Sequence, residues 1–312
     1  MTRKLIMALM AGAGAVLFAP AQASAAACGT VTASPGTLLF SSWSPLDGQA
    51  QDLPLTLTVQ RVSASTRGVR VILHDIDTPA PPIVVSLAPA MRYEIADNAS
   101  GALIAFSRNT VISAANAAVR PISGAPTTSI SINARVRLFG NSGPVADYIG
   151  GRTFNQPFLY SIQCLNQQGT VTAQDLLVPA NLTLTVPIPR MATIVTARPS
   201  VIDFGNFTTT RQTIMINVRS TSTLNVSANT QNGGRMVREG TPQPWPSYAT
   251  IPFNMFFWDR RIVPGGSTVS TQRAGVQGRD INFMLTLPEG LPTGKLAGTY
   301  SDVITLDVTP GP

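Results

Sequence analysis

The segment from Gly298 to Val308 reads GTYSDVITLDV, and only Thr309, Pro310, Gly311 and Pro312 follow it. Ile304, Leu306 and Val308 fall on one face of the strand this pattern predicts. Thr305, Asp307 and Thr309 fall on the other, because successive side chains of a strand point to opposite sides. A strand in this position is expected at the edge of a sheet or without a neighbour. If its sandwich needs one more strand, that strand must come from another polypeptide by β-strand addition.

The rest of the chain is patterned the same way. Thr, Ser, Val and Ile are abundant, charged residues make up 12%, and 25 Gly and 25 Pro punctuate short alternating runs. The one helical candidate is Ser113 to Val119, short and Ala-rich. In the first half strands are predicted at 30–40, 53–62, 69–75, 83–87, 92–95, 103–106, 129–138, 153–163 and 181–186. In the second half they are predicted at 192–207, 213–218, 224–228, 236–238, 252–258, 280–287 and 299–308. Regular short strands with turn signals argue for an all-β sandwich architecture. The break is placed at Pro187-Ile188-Pro189, since prolines cannot donate to a ladder and stiffen a linker. The expected organisation is a signal peptide at 1–27, an N-terminal β-sandwich domain at 28–187 and a second domain at 188–312. The second has the strand count of an immunoglobulin-like sandwich short of its last element.

Export is read from the N-terminus. Arg3 and Lys4 precede an apolar run from Leu5 to Phe18, and small residues offer cleavage after Ala23, Ala25 or Ala27. In an exported chain the two cysteines, Cys28 and Cys164, are expected to form one disulfide. That bridge would set the first strand beside the one containing Phe158 to Leu165. In the chain-entropy picture so long a loop is worth roughly 3–5 kcal/mol.

Net charge is +7, and about +5 without Arg3 and Lys4. The arginines are scattered, with no basic run and no interleaved aromatic platform, so no nucleic-acid partner is expected. Arg135 and Arg137 are expected in solvent on one strand face.

Enzymatic chemistry finds little support. His74 is the only histidine, which excludes two-histidine zinc motifs. With Asp75 and Asp77 it could be drawn as a small cluster, but the end of a strand is the expected place for a satisfied or exposed edge histidine. No Gly-x-Ser-x-Gly elbow occurs, and Gly290 to Lys295 lacks the spacing of a phosphate loop. No catalytic residue, metal or cofactor is expected. Three Pro/Gly-shaped loops carry apolar residues: Asp77 to Pro82 running into Ile83, Pro121 to Thr127, and Gly140 to Gly151. Pro81, Pro82, Ile83, Val145, Tyr148 and Ile149 are the candidate contact residues there, since exposed apolar tips mark binding surfaces.

The stretches ATIVTARPSVIDFGNF (192–207) and LPTGKLAGTYSDVITLDVTP (291–310) carry a family resemblance. Asp203-Phe204-Gly205, Gly298-Thr299-Tyr300, Asp302 and the terminal alternating strand resemble the opening and closing signatures of the spore coat protein U domain, the pilin domain of archaic chaperone–usher pili. Cys28-Gly29 with Leu38-Leu39-Phe40 resembles the opening more remotely. Tyr300 follows a Gly-Thr turn and begins the final strand, which independently resembles a tyrosine corner. The resemblance departs in one respect: such domains often carry their own disulfide, and residues 188–312 contain no cysteine.

The resemblance implies two immunoglobulin-like β-sandwich domains, the C-terminal one an incomplete pilin sandwich. Its groove would lie between Ile194 on one wall and Ile304, Leu306 and Val308 on the other. The implied partners are a periplasmic pilus chaperone, an outer-membrane usher and an adjacent pilin subunit that donates a β-strand. The N-terminal domain would meet an abiotic surface or host receptor. With Cys28 close behind the leader no donor strand is expected, and this implies a tip adhesin, exported through the periplasm to the cell surface, serving attachment and biofilm formation. The alternatives are a secreted glycan-binding module, with Trp43 and Tyr148 as stacking rings, or a coat-type structural β-protein.

Overall fold

The structure, a computed structural model, describes residues 28–61, 64–76, 85–88, 91–122, 129–140, 148–195, 200–266 and 268–312. They form β structure with one turn of 3-10 helix at Ser247–Ala249. The first half runs as β1 (Gly29–Ser34), β2 (Thr37–Leu39), β3 (Gln51–Arg61), β4 (Gly68–Asp75), β5 (Val85–Ala88), β6 (Met91–Asp97), β7 (Ala105–Ser107), β8 (Ala118–Pro121), β9 (Ser129–Leu138), β10 (Thr153–Leu165) and β11 (Val171–Pro187). One sheet has the order β1-β3-β9-β6-β5. The other has the order β2-β11-β10-β4-β7, with β8 also beside β4.

Alternation makes this half a sandwich. Leu55, Leu57 and Val59 of β3 and Ile132, Ala134 and Val136 of β9 are buried on the inner face of one sheet. Val69, Val71 and Leu73 of β4, Phe158, Tyr160 and Ile162 of β10, and Leu182, Leu184 and Val186 of β11 are buried on the other. Cys28 and Cys164 are bonded, 5.4 Å apart at Cα. The bridge links the two sheets: among the described residues β1 pairs with β3 alone, and β10 pairs with β4 and β11. The first strand therefore lies across the core from β10, not alongside it.

Several expectations are corrected locally. Ser113 to Val119 is not a helix. Asn116 Oδ1 accepts from the Ser113 amide at 2.7 Å and from its hydroxyl at 3.0 Å, which turns the chain into β8. Ile112 and Ala117 cover Ile72 on the outer face of the sheet as a small second core. His74 is 1% exposed inside β4, not at a free edge. Its ring nitrogens lie 3.3 Å from the Ser107 carbonyl and 2.8 Å from Ser161 Oγ. Of the two arginines expected in solvent, Arg137 makes a paired contact with Asp52 at 2.8 and 2.9 Å.

The second half runs as β12 (Ala192–Ile194), β13 (Arg211–Ser220), β14 (Leu224–Thr230), β15 (Arg235–Arg238), β16 (Thr250–Pro252), β17 (Asn254–Phe257), β18 (Arg260–Ile262), β19 (Val269–Thr271), β20 (Gly275–Thr286), β21 (Tyr300–Ser301) and β22 (Ile304–Pro310). Its sheets are β12-β13-β20-β17-β18, β19-β14-β22 and the small β16-β15-β21. A separate core lies between them, around Val218, Val226, Met255, Phe257, Ile281 and Phe283. The strand expected over 192–207 is shorter: β12 ends at Ile194, and Asp203 to Phe207 form a turn. There Asp203 Oδ1 accepts from Gly205 N at 2.7 Å, and Phe207 N donates to Phe204 O at 2.9 Å.

Pro187-Ile188-Pro189 is held on both sides. Ile188 is 2% exposed within the first core. Thr221 Oγ1 donates to Pro189 O at 2.7 Å and accepts from Met191 N at 2.8 Å. Gly150 N donates to Thr221 O at 2.8 Å, and a Cβ on Gly150 would lie 2.8 Å from Arg190 Cα. Only glycine fits that approach.

Candidate functional site

The two sheet edges of the second half that face one another are unequal to those of the first. In the first half β10 is flanked by β4 on one side and by β11 on the other. β11 is flanked in turn by β2, which pairs in parallel over Thr183–Thr185. In the second half β22 pairs with β14 from Thr230↔Ile304 to Leu224↔Pro310, and its other edge has no strand beside it among the described residues. Opposite it, β12 covers β13 only at Val218 to Ser220, and Val195 N adds one bond to Asn217 O at 2.9 Å. The edge of β13 from Arg211 to Ile216 is likewise uncovered among the described residues.

Between these edges lies a groove of about 550 Å³. Its walls are Ile194 and Ile202, Ile214 and Ile216 of β13, Met236, Phe253, and Ile304 and Leu306 of β22. The burial of β22 records what is missing. Ile304, Leu306 and Val308 are half-buried, whereas Leu182, Leu184 and Val186 of β11 are 1%, 0% and 0% exposed. The same alternation is thus closed in one half of the chain and open in the other. Of the residues expected here, Ile194, Ile304 and Leu306 line the groove. Val308 faces Val226 and packs on the core beyond it. Ile202, Ile214, Ile216, Met236 and Phe253 were not anticipated. The alternation in RQTIMINV could have found Ile214 and Ile216, but β13's position at an edge is a property of topology.

One end of the groove is shaped by the Gly298-Thr299-Tyr300 motif. Gly298 has φ +147°, and a Cβ there would lie 2.7 Å from Arg238 Nε. Tyr300 Oη donates to Leu296 O at 2.7 Å, as a tyrosine corner does, and lies 3.3 Å from Tyr248 O. Its ring meets Phe207 edge-on at 6.1 Å, and Phe207 stacks near Phe204. Two residues on, Asp302 also lines the groove. Its Oδ1 accepts from Asn232 N at 3.0 Å and Val303 N at 2.8 Å. Its Oδ2 is buried without a hydrogen-bond partner. Burial raises its pKa, and the amides of Asn232, Val303 and Gln231 only partly offset that.

The expected contact loops fare differently. Pro81, Pro82, Ile83 and Val145 lie outside the described residues. Tyr148 is 2% exposed and meets Trp43 edge-on at 5.6 Å, and Trp43 is itself 2% exposed. Ile149 is half-buried beside the Gly150–Thr221 contact. Tyr148 and Ile149 therefore belong to the junction between the halves. They are not an exposed tip, and the two rings proposed for glycan stacking are core. Among the described residues no group of three His, Cys, Asp or Glu side chains could hold a metal ion.

No protein-family model matches the chain, and no curated protein matches it. Among solved structures the chain is similar to the CupB6 tip adhesin from Pseudomonas aeruginosa, at 12% identity and a TM-score of 0.33, covering 82% of this chain and 86% of that one. It is similar to a chain of the CsuC-CsuE chaperone–tip adhesion subunit pre-assembly complex from archaic chaperone-usher Csu pili of Acinetobacter baumannii, at 12% identity and 0.38, covering 90% and 100%. The CooA pilin subunit from enterotoxigenic Escherichia coli matches at 16% and 0.27, over 51% of this chain and 98% of that one. Superpositions this loose carry no argument about function. The open groove does.

Proposed function

We propose that the chain is a pilus adhesin whose C-terminal half, residues 188–312, accepts a β-strand from another polypeptide. The observation that carries this is the half-buried row Ile304–Leu306 on an unpaired strand edge, facing the uncovered edge of β13. An incoming strand would satisfy backbone groups on both edges and insert alternate apolar side chains. Each such side chain is worth roughly 1.5–3 kcal/mol when fully buried. Four of them approach the net stability of a domain, about 5–15 kcal/mol. During export that strand would come from a periplasmic chaperone, and after passage through an outer-membrane usher from the adjacent pilin subunit. The family resemblance of the DFG and GTY segments supports these partners.

The N-terminal half, residues 28–187, supplies its own final strand in β11 and would face outward at the pilus tip. It would contact an abiotic surface or receptor through Pro81, Pro82, Ile83 and Val145, and so serve attachment and biofilm formation. No observation favours a glycan site over this reading.

Capture tests the groove. A labelled alternating apolar peptide, incubated with the full chain, should be retained, and Leu306→Asp should weaken retention at least about tenfold, since a charge would be buried unpaired. Equal retention by both proteins would contradict the assignment. For the outward half, Ile83→Asp should lower attachment of piliated cells to plastic while leaving the number of pili unchanged. Loss of pili, or undiminished attachment, would remove Ile83 from the contact.

A further inference from the structure

Tyr300, Asp302, Ile304, Leu306 and Val308 share one parity, and each is half-buried while Ser301, Val303, Thr305, Asp307 and Thr309 are exposed. Side chains at i, i+2 and i+4 of an extended segment line one face. Asp302, in the link between β21 and β22, lines the same groove as Ile304 and Leu306, and it is the half-buried carboxylate there, since the other one, Asp203, is exposed.

Its bonding is half complete. Oδ1 takes two backbone donors, and Oδ2 is buried with none. The ion pairs among the described residues are Arg120–Asp97, Arg135–Glu94 and Arg137–Asp52, all in the first half. Covering Asp302 with an apolar strand would remove what water it has and leave a charge without a partner, which is costly. A cation from the strand removes that cost. Charge-assisted bonds to carboxylates are also the stronger kind.

The row has a second difficulty that a polar position resolves. Apolar alternation fixes which face of a strand points inward, but a slip by two residues presents the same pattern again. A lone polar contact within an apolar seam breaks such degeneracy, as single buried polar residues do in coiled coils.

We propose that Asp302 is a register pin for the accepted strand, which carries a Lys or Arg side chain at the position facing Asp302. This rests on the strand-acceptance reading above. A strand lying antiparallel to β22 would present apolar residues to Leu306 and Ile304 in turn and its cation two positions later.

Three peptides added to the full chain separate the outcomes: one with Lys facing Asp302, one with Val there, and one with the Lys moved two positions toward the apolar end. The Lys peptide should bind about tenfold or more tighter than either other peptide, and Asp302→Val should abolish or reverse that preference. A Val peptide that binds as tightly as the Lys peptide would overturn the cation. Equal binding of all peptides by the unaltered protein would overturn the register pin while leaving strand acceptance standing. If no peptide binds, strand acceptance itself fails.

Discussion

His74 is enclosed between the Ser107 carbonyl and Ser161 Oγ, where β4 lies between β7 and β10. Burial lowers its pKa from the ordinary value near 6.5, and the Ser107 contact offsets this only in part. The folded state therefore prefers the neutral ring. Its contribution to stability is complete above about pH 6.5 and is lost as pH falls below that value, because the unfolded chain takes up the proton first. Asp97 acts in a lower window. Burial opposes its ionisation, but Arg120, Ser100 and the Ala99 amide hold its pKa at about 2. Its contribution is present above the ordinary carboxylate range near 3.8 and is lost only as pH falls toward 2. The two windows can thus be read apart. Melting of the full chain should drop between about pH 7.5 and 5, and His74→Gln should flatten that drop while leaving the loss below about pH 4. An unchanged slope in the variant would assign the dependence elsewhere. None of this was legible from the sequence, where His74 read as an edge residue, because Ser161 and Ser107 reach it only through strand pairing.

At the scale of elements, the β14–β22 pair and the β10–β11 pair show why alternation alone misses half of the site. Ile304, Leu306 and Val308 were readable as one face. So were Asn181 to Val186, and the residue patterns are alike. What differs is the neighbours: among the described residues β2 and β10 flank β11, while β14 alone flanks β22. Ile202 reaches the groove from the segment before the Asp203–Phe207 turn, Met236 from β15 and Phe253 from the link between β16 and β17, so no local period announces them. The Asn116 turn shows the converse failure. An Ala-rich run looked helical, and a side chain that bonds its own backbone, together with two residues packed on Ile72, decided otherwise. The tyrosine corner was legible because its motif is local. Tyr300→Phe removes the bond to Leu296 O and should destabilise the second half by about 1 kcal/mol. Hydrogen exchange resolved to residues 188–312 would detect this, and an effect confined to the first half would contradict it.

At the scale of the whole molecule, the two halves have separate cores and a braced junction. Val276 of the second half packs on the first core, and Arg273 Nη1 donates to Tyr148 O at 3.3 Å. The sequence placed the break at Pro187-Ile188-Pro189 but could not show that Thr221, Gly150 and Tyr148 hold it, since these come from distant parts of the chain. The same bracing moves Tyr148 and Ile149 from a supposed tip to the joint. The most direct test of an unfinished C-terminal half uses the full chain with and without a flexible linker and an alternating apolar strand added after Pro312. Thermal unfolding, followed by hydrogen exchange in each half, should show the second half opening first in the unextended protein. The added strand should raise that transition by about 10 °C or more, since each kcal/mol moves a domain of this size by roughly 4 °C. The first half should be little changed. Identical melting of the second half in both proteins would mean that the groove needs no strand, and the account would fail.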